Sequence, residues 1–322
     1  MADVDVILPM PMPPKVVADL SSRFRLHNLV EAKDKDRFLA DVGGKIRGMA
    51  AGVVAPVKAD LIDRLPKLEI IAKFGVGYDT VDTAHAAKRG VIVTNTPDVL
   101  TEETADTAFG LLLMTVREFG DAARWAKEGR WVKDGAYPLT VGTLRDRTVG
   151  IVGLGRIGEA IARRLEASKV PVVYHNRRSK PGVPWRHYPD LIAMARDVDT
   201  LVNVLPGNAG TIKIINAAVL EALGPRGILI NIGRGTTVDE DALIAALKGR
   251  LIQAAGLDVF WNEPGIDPRF LTLDNAVLFP HVGSASIYTR DAMGQLVVDN
   301  LVSWFERGRP LTPVAETPWP PT

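Results

Sequence analysis

Short apolar runs rich in Val and Ile recur along the chain, separated by stretches whose apolar positions repeat at helical spacing. That alternation predicts βα units built around parallel sheets. Ten runs read as strands: Val4 to Leu8, Gly48 to Val54, Ile70 to Lys73, Val91 to Asn95, Thr148 to Val152, Val172 to His175, Thr200 to Val204, Ile228 to Ile232, Ala254 to Asp258 and Ala276 to Phe279. Ten strands are too many for one small sheet. A helical segment between the fourth and fifth begins near Thr101, a suitable N-cap, with Glu102 and Glu103 at the positive end of the helix dipole. It is read as the passage between two domains. A last helix, Thr289 to Arg307, carries Met293, Leu296, Val297, Leu301, Val302 and Phe305 near helical spacing and can return to the first domain. The expected division is therefore discontinuous: residues 1–98 with 289–322, and residues 99–288. The tail TPVAETPWPPT holds too much proline for a helix.

Composition sharpens this picture in three ways. The 322 residues fit two domains at about 150 residues each. No cysteine is present, which excludes disulfides, thiolate nucleophiles and cysteine-based metal or iron–sulfur sites. With 39 basic and 38 acidic residues, the balanced charge argues against a phosphate backbone or an anionic membrane as the main partner. No signal peptide is visible, and the most apolar stretch, Ala108 to Met114, is far short of a membrane span. A cytoplasmic location is the expectation.

The segment TVGIVGLGRIGEAIARRLEA sets Gly153-x-Gly155-x-x-Gly158 between a strand and a helix. Alone the glycine pattern is weak, but this context makes it a dinucleotide-binding turn. Gly153 would make the tight turn, Gly155 would let the backbone approach a pyrophosphate, and Gly158 would let the helix pack on the strand. The helix N-terminus would offer its N–H groups to the phosphates. At the end of the next strand, where an acid would bind the ribose 2′-hydroxyl of NAD, stands Asn176, followed by Arg177 and Arg178. Two guanidinium groups suit a 2′-phosphate, and an Asp would repel it, so NADPH is expected in preference to NADH.

Three further strand ends carry polar residues where ligands of open α/β sheets bind. Arg234 stands between Gly233 and Gly235, flanking residues that would leave room for a ligand and allow unusual backbone angles. Its guanidinium could clamp a carboxylate in two hydrogen bonds. Asp258 ends one strand, with Glu263 beyond it ahead of Pro264. His281 follows another strand and precedes the small residues Gly283, Ser284 and Ala285. Of the five histidines (His27, His85, His175, His187 and His281), only His281 has this setting. A hydride cofactor leaves a carbonyl oxygen in need of a proton, which imidazole can donate, and Glu263 could hold the ring through its other nitrogen. No HExxH, EF-hand loop, GxSxG elbow or His/Asp cluster at metal spacing appears, so no metal is expected. Nor are arginine and aromatic residues interleaved as nucleic-acid binding requires.

Taken together these residues resemble the D-isomer-specific 2-hydroxyacid dehydrogenases. The likeness runs from about Ile46 to Val314 and rests on KFGVGYDTVD, TNTPDVLTEETADTAFGLLL, GIVGLGRIG, the INIGRG run, AAGLDVFWNEP and PHVGSAS, in the family's order and spacing. It implies an α/β fold of two Rossmann-like or flavodoxin-like domains with parallel sheets, an active-site cleft between them, and a homodimer formed mainly by the cofactor domains. Arg234 would bind the substrate carboxylate and polarise the keto oxygen, His281 would donate the proton, and Glu263 would pair with it. The N–H groups of Val76 and Gly77 would hold the carboxylate from the other side. Thr104, Asp258 and Gly283 would line the nicotinamide region, and Leu205, Pro206 and Thr211 the adenosine side. Leu154, Arg156 and Ile157 of the glycine turn, with Ile232 and Gly233, would complete the cofactor contacts. Asn176-Arg177-Arg178-Ser179 looks most like the NADPH-dependent glyoxylate/hydroxypyruvate reductases. The substrate would be a short 2-keto acid. The alternatives are a bulkier one such as phenylpyruvate or hydroxyphenylpyruvate, and an NAD(P)H-sensing corepressor-like protein.

Overall fold

A computed structural model describes residues 3–53 and 56–320. The chain divides into two compact units, one of residues up to Leu100 together with those from Ala285 onward, the other Thr101–Ser284.

In the first unit β1 (Asp5–Leu8), β2 (Arg25–Asn28), β3 (Ile46–Ala51), β4 (Ile70–Lys73) and β5 (Ile92–Thr94) form a parallel sheet of order β2-β1-β3-β4-β5. β1 and β4 are buried along their whole length, the pattern of strands covered on both faces. The helix Ile287–Arg307 packs on the helix Pro14–Ser21 and on β4. That approach depends on Gly294, where a Cβ would lie 2.3 Å from Val16 Cγ2. The tail is not helical: Pro313 bridges to Thr94, and the Val93 N–H donates to Thr317 Oγ1 at 2.9 Å.

The second unit holds β6 (Val149–Val152), β7 (Val172–His175), β8 (Arg186–Tyr188), β9 (Thr200–Asn203), β10 (Ile228–Asn231), β11 (Ala254–Leu257) and β12 (Ala276–Leu278), all parallel, in the order β12-β11-β10-β9-β6-β7-β8. Strand order reverses between β6 and β9, so the crevice at their C-terminal ends is where such a sheet takes a ligand. The helix Thr101–Arg117 covers β11 and lies against the helix Arg156–Ala167. Its buried face includes Leu111 and Leu112, each contributing about 1.5–3 kcal/mol relative to exposure.

Each of the ten expected strands is present, with ends shifted by up to three residues. Val54, the expected end of the second, lies outside the described residues. β2 and β8 are additional. Both are sheet edges with polar sequences, RLHN and RHY, so neither produces an apolar run.

Candidate active site

The turn after β6 is shaped by its glycines. Gly153 has φ +102°, which an L side chain rarely adopts, and a Cβ on Gly158 would lie 2.4 Å from Gly153 O. A Cβ on Gly155, by contrast, would meet nothing within 4 Å, leaving open space at the start of the helix Arg156–Ala167. Among the described residues no side-chain hydrogen bond caps that helix at Gly155, which suits the helix start to an anion. Leu154 is buried, Ile157 half-buried and Arg156 exposed. The residues present fit a dinucleotide pyrophosphate.

Asn176 does more than leave a place without an acid. Its Oδ1 accepts the Leu154 N–H at 2.8 Å and so braces the glycine turn from the end of β7. Arg177 and Arg178 are exposed, and among the described residues neither guanidinium has a hydrogen-bond or ion-pair partner. Lys180, two residues on, is held by Glu159 in an ion pair. Two arginines are thus left to meet an anion. Across the crevice Leu205 packs on Gly153, and Thr211 Oγ1 donates to the Pro206 carbonyl at 2.7 Å, closing a short loop after β9.

Arg234 lies just beyond β10, half-buried. Its glycine neighbours adopt no positive φ. They are required by close approach: a Cβ on Gly233 would lie 2.5 Å from Leu205 O, and one on Gly235 would lie 1.9 Å from the Phe260 carbonyl carbon. The expected freedom of backbone angle is therefore corrected to a packing constraint. A buried polar network fixes the loop. Asn203 Nδ2 donates to Asn231 Oδ1 at 2.9 Å and to Thr237 Oγ1 at 2.6 Å, while Thr237 Oγ1 and Asn231 Nδ2 donate to the Arg234 carbonyl at 2.5 and 3.1 Å. Asn231 Oδ1 also accepts the Gly233 N–H at 3.2 Å.

His281 and Glu263 are brought together. His281 Nδ1 and Glu263 Oε2 are 2.5 Å apart, and Glu263 Oε1 accepts the Phe260 N–H at 2.9 Å. The Trp261 N–H donates to Glu240 Oε1 at 2.9 Å, so the segment carrying Glu263 is anchored twice. Burial disfavours charge on Glu263, but hydrogen bonds from His281 and the Phe260 N–H, with the charges of His281 and Arg234, outweigh it and hold the carboxyl below its ordinary value. His281 sits at φ +55°, a left-handed conformation costing a non-glycine residue on the order of 1 kcal/mol. Asp258 accounts for it. Its carbonyl accepts the His281 N–H at 2.9 Å, and its two carboxylate oxygens accept the Val282 and Gly283 N–H groups at 2.7 and 2.9 Å. Burial pushes the Asp258 carboxyl up despite those bonds. Thr104, Ile232 and Asp258 gather around Gly283, whose carbonyl accepts from Thr107 Oγ1 at 3.4 Å.

In the first unit Val76 and Gly77 follow β4 on a half-buried loop. Lys73, fully buried, donates to the carbonyls of Gly52 and Val53 and so ties a second loop to the same sheet end. Lys73 and Asn231 lie inside KFGVGYDTVD and the INIGRG run without a role read for them, and Asn203, Thr237 and Glu240 lie outside every motif. Lys73, Asn203 and Asn231 give one signal in sequence, a polar residue at the end of an apolar run, and Thr237 and Glu240 give none.

Comparison with known proteins gives the following. Residues 109–283 match the NAD binding domain of D-isomer specific 2-hydroxyacid dehydrogenases. Glyoxylate/hydroxypyruvate reductase A of Arabidopsis thaliana is 41% identical over 314 residues, spanning 98% of this chain and all of the relative. Hydroxyphenylpyruvate reductase of Plectranthus scutellarioides is 42% identical over 315 residues, again 98% of this chain and all of the relative. Among solved structures, an NADPH-dependent glyoxylate/hydroxypyruvate reductase from Sinorhizobium meliloti, in complex with NADP and malonate, is 52% identical with a TM-score of 0.94 over 98% of each chain.

Proposed function

Because this chain belongs to the D-isomer-specific 2-hydroxyacid dehydrogenase family, we propose that it is an NADPH-dependent reductase of short 2-keto acids, turning glyoxylate into glycolate and hydroxypyruvate into D-glycerate. The observation that carries this reading is the braced His281–Glu263 pair in the unit that also bears the glycine turn and Arg234. NADPH, when bound, supplies the hydride. Arg234 clamps the substrate carboxylate and draws charge toward the keto oxygen. Glu263 holds His281 by Nδ1, which leaves Nε2 as the ring nitrogen that gives its proton to that oxygen. After donation the ring keeps its Nδ1 proton on Glu263. The Val76 and Gly77 N–H groups hold the carboxylate, and Thr104, Asp258 and Gly283 line the nicotinamide region.

In this reading the second unit is the cofactor domain and the first the substrate domain. Exposed Arg177 and Arg178 meet the 2′-phosphate. We also assign a cytoplasmic location and a homodimer. Among the described residues no helix is long and apolar enough to cross a membrane. The dimer is supported by the apolar surface of segment 119–141, where Val132 and Leu139 are 97% and 99% exposed and Trp131 70%. Light scattering of the purified protein tests it, and a monomer at micromolar concentration would remove that part.

The decisive experiment follows NADPH absorbance with glyoxylate, hydroxypyruvate, pyruvate and phenylpyruvate. Turnover fastest with the first two is expected. Preference for phenylpyruvate would favour the aromatic acids suggested by the hydroxyphenylpyruvate reductase relative, and no turnover with any would leave a cofactor-sensing protein.

A further inference from the structure

We infer that Asn95 is a positioning residue that turns the Val76 and Gly77 N–H groups into a two-pronged anion cradle; this rests on the substrate assignment above. Asn95 and Thr96 follow β5, beside the loop after β4. The Thr96 N–H donates to the Gly75 carbonyl at 3.0 Å, and Asn95 Nδ2 donates to the Val76 carbonyl at 2.9 Å. Each carbonyl belongs to the same planar peptide as the N–H of the following residue, and in a trans peptide the two point in opposite directions. Pinning the Gly75 carbonyl therefore aims the Val76 N–H away from β5, and pinning the Val76 carbonyl aims the Gly77 N–H the same way. Among the described residues neither N–H donates to anything within the protein. Two adjacent N–H groups held parallel in a half-buried loop suit the two oxygens of a carboxylate.

Gly75 is the hinge this arrangement requires. It has φ +137°, and its own N–H donates to Thr96 Oγ1 at 3.0 Å, so the turn is tied to Thr96 at both ends of one residue. Asn95 is itself held from behind. Its N–H donates to the Thr312 carbonyl at 3.2 Å, its carbonyl accepts from Thr312 Oγ1 at 2.6 Å, and Asn300, fully buried on the long C-terminal helix, accepts the Thr312 N–H at 3.1 Å. The backbone of residue 95 is thus fixed by the tail, while its side-chain amide does one thing, which is to orient the Val76–Gly77 peptide. A change confined to that amide should alter anion binding and leave the fold alone.

Asn95→Asp is the test, since it keeps the shape and replaces the donor with an acceptor that repels the Val76 carbonyl. Oxalate binding to the NADPH-loaded enzyme is measured by calorimetry, together with KM for glyoxylate, the NADPH dissociation constant and Tm. We expect oxalate affinity to fall and the glyoxylate KM to rise by about tenfold, the worth of one partly buried hydrogen bond with its desolvation, at unchanged NADPH affinity and Tm. Asn95→Ala should do the same, and serves if the aspartate variant does not fold. Wild-type oxalate affinity in either folded variant, or equal losses for oxalate and NADPH, would overturn the assignment. If the wild type itself neither binds oxalate nor reduces glyoxylate, the fault lies in the substrate reading, and the cradle falls with it.

Discussion

The two ends of the second unit's ligand crevice are built on opposite plans. At the His281 end the carboxylates and the backbone are tied down: Asp258 uses both carboxylate oxygens on backbone N–H groups, Glu263 uses one on Phe260 and one on His281, and His281 is held in a left-handed conformation by the Asp258 carbonyl. At the Arg177 end two guanidinium groups stand in solvent with no partner among the described residues. Chemistry needs a proton donor whose position is settled before the substrate arrives, because misplacement is paid for in rate. Recognition of a mobile, solvated phosphate needs only charge within reach, and exposed arginines provide it at little structural cost.

That contrast predicts different kinetic signatures, beginning with the largest. His281→Ala should lower kcat/KM for glyoxylate by about 10³-fold, within the range of a general acid, with NADPH binding unchanged; a loss under tenfold in folded protein would place the proton donor elsewhere. Arg234→Lys should lower it by about 10²-fold, since an ammonium cannot reproduce the two-pronged clamp, and the keto-acid KM is the measurement to follow. At the other end, Arg177→Ala with Arg178→Ala should raise KM for NADPH by about thirtyfold while leaving kcat and the NADH constant near wild type. Equal movement of both cofactor constants would remove the 2′-phosphate from the argument.

Asn176→Asp joins the two plans in one residue. It retains the acceptor that braces the Leu154 N–H and adds a negative charge beside the arginines. We expect KM for NADPH to rise by about tenfold, with Tm unchanged and NADH use equal or better. A fall in Tm would mean that the brace needs the amide. The smallest effect is on acid stability. Because the folded Glu263 carboxyl lies below its ordinary 4.5, its stabilising contribution is complete above that pH and is lost only as pH falls through the lower folded value. Glu263→Gln should therefore lose less Tm than wild type between pH 5 and pH 3, each value about the working limit of the scan.

The same contrast explains what could be read in the sequence. His281, Glu263, Arg234, the glycine turn and the two arginines announce themselves because each is an unusual residue type at a strand end or a spaced motif. The supports do not. Asn203, Asn231 and Thr237 form their network only because β9 and β10 pair in register, Asn203 opposite Asn231. The glycines around Arg234 were legible as special but not for the right reason, since the backbone they admit belongs to Leu205 and Phe260. Arg147 is a similar case. Its buried guanidinium donates to the Asp199 and Arg226 carbonyls, both at 2.9 Å, and to Gln253 at 2.7 Å, tying together segments between 52 and 106 residues away in sequence. Edge strands β2 and β8 were missed because a strand with one solvated side need not be apolar.

The split of the first unit across both ends of the chain has a bearing on biosynthesis. Thr101–Ser284 is continuous, so all of its strands are synthesised before the helix Ile287–Arg307. The first hundred residues have their five strands early but lack the helix that covers β4 and the tail that bonds to β5. They must remain partly uncovered through the synthesis of nearly two hundred intervening residues, about 10–40 s at ordinary elongation rates. The helix Ile287–Arg307 and the tail, made after the second unit, thus complete a sheet whose strands were made before it.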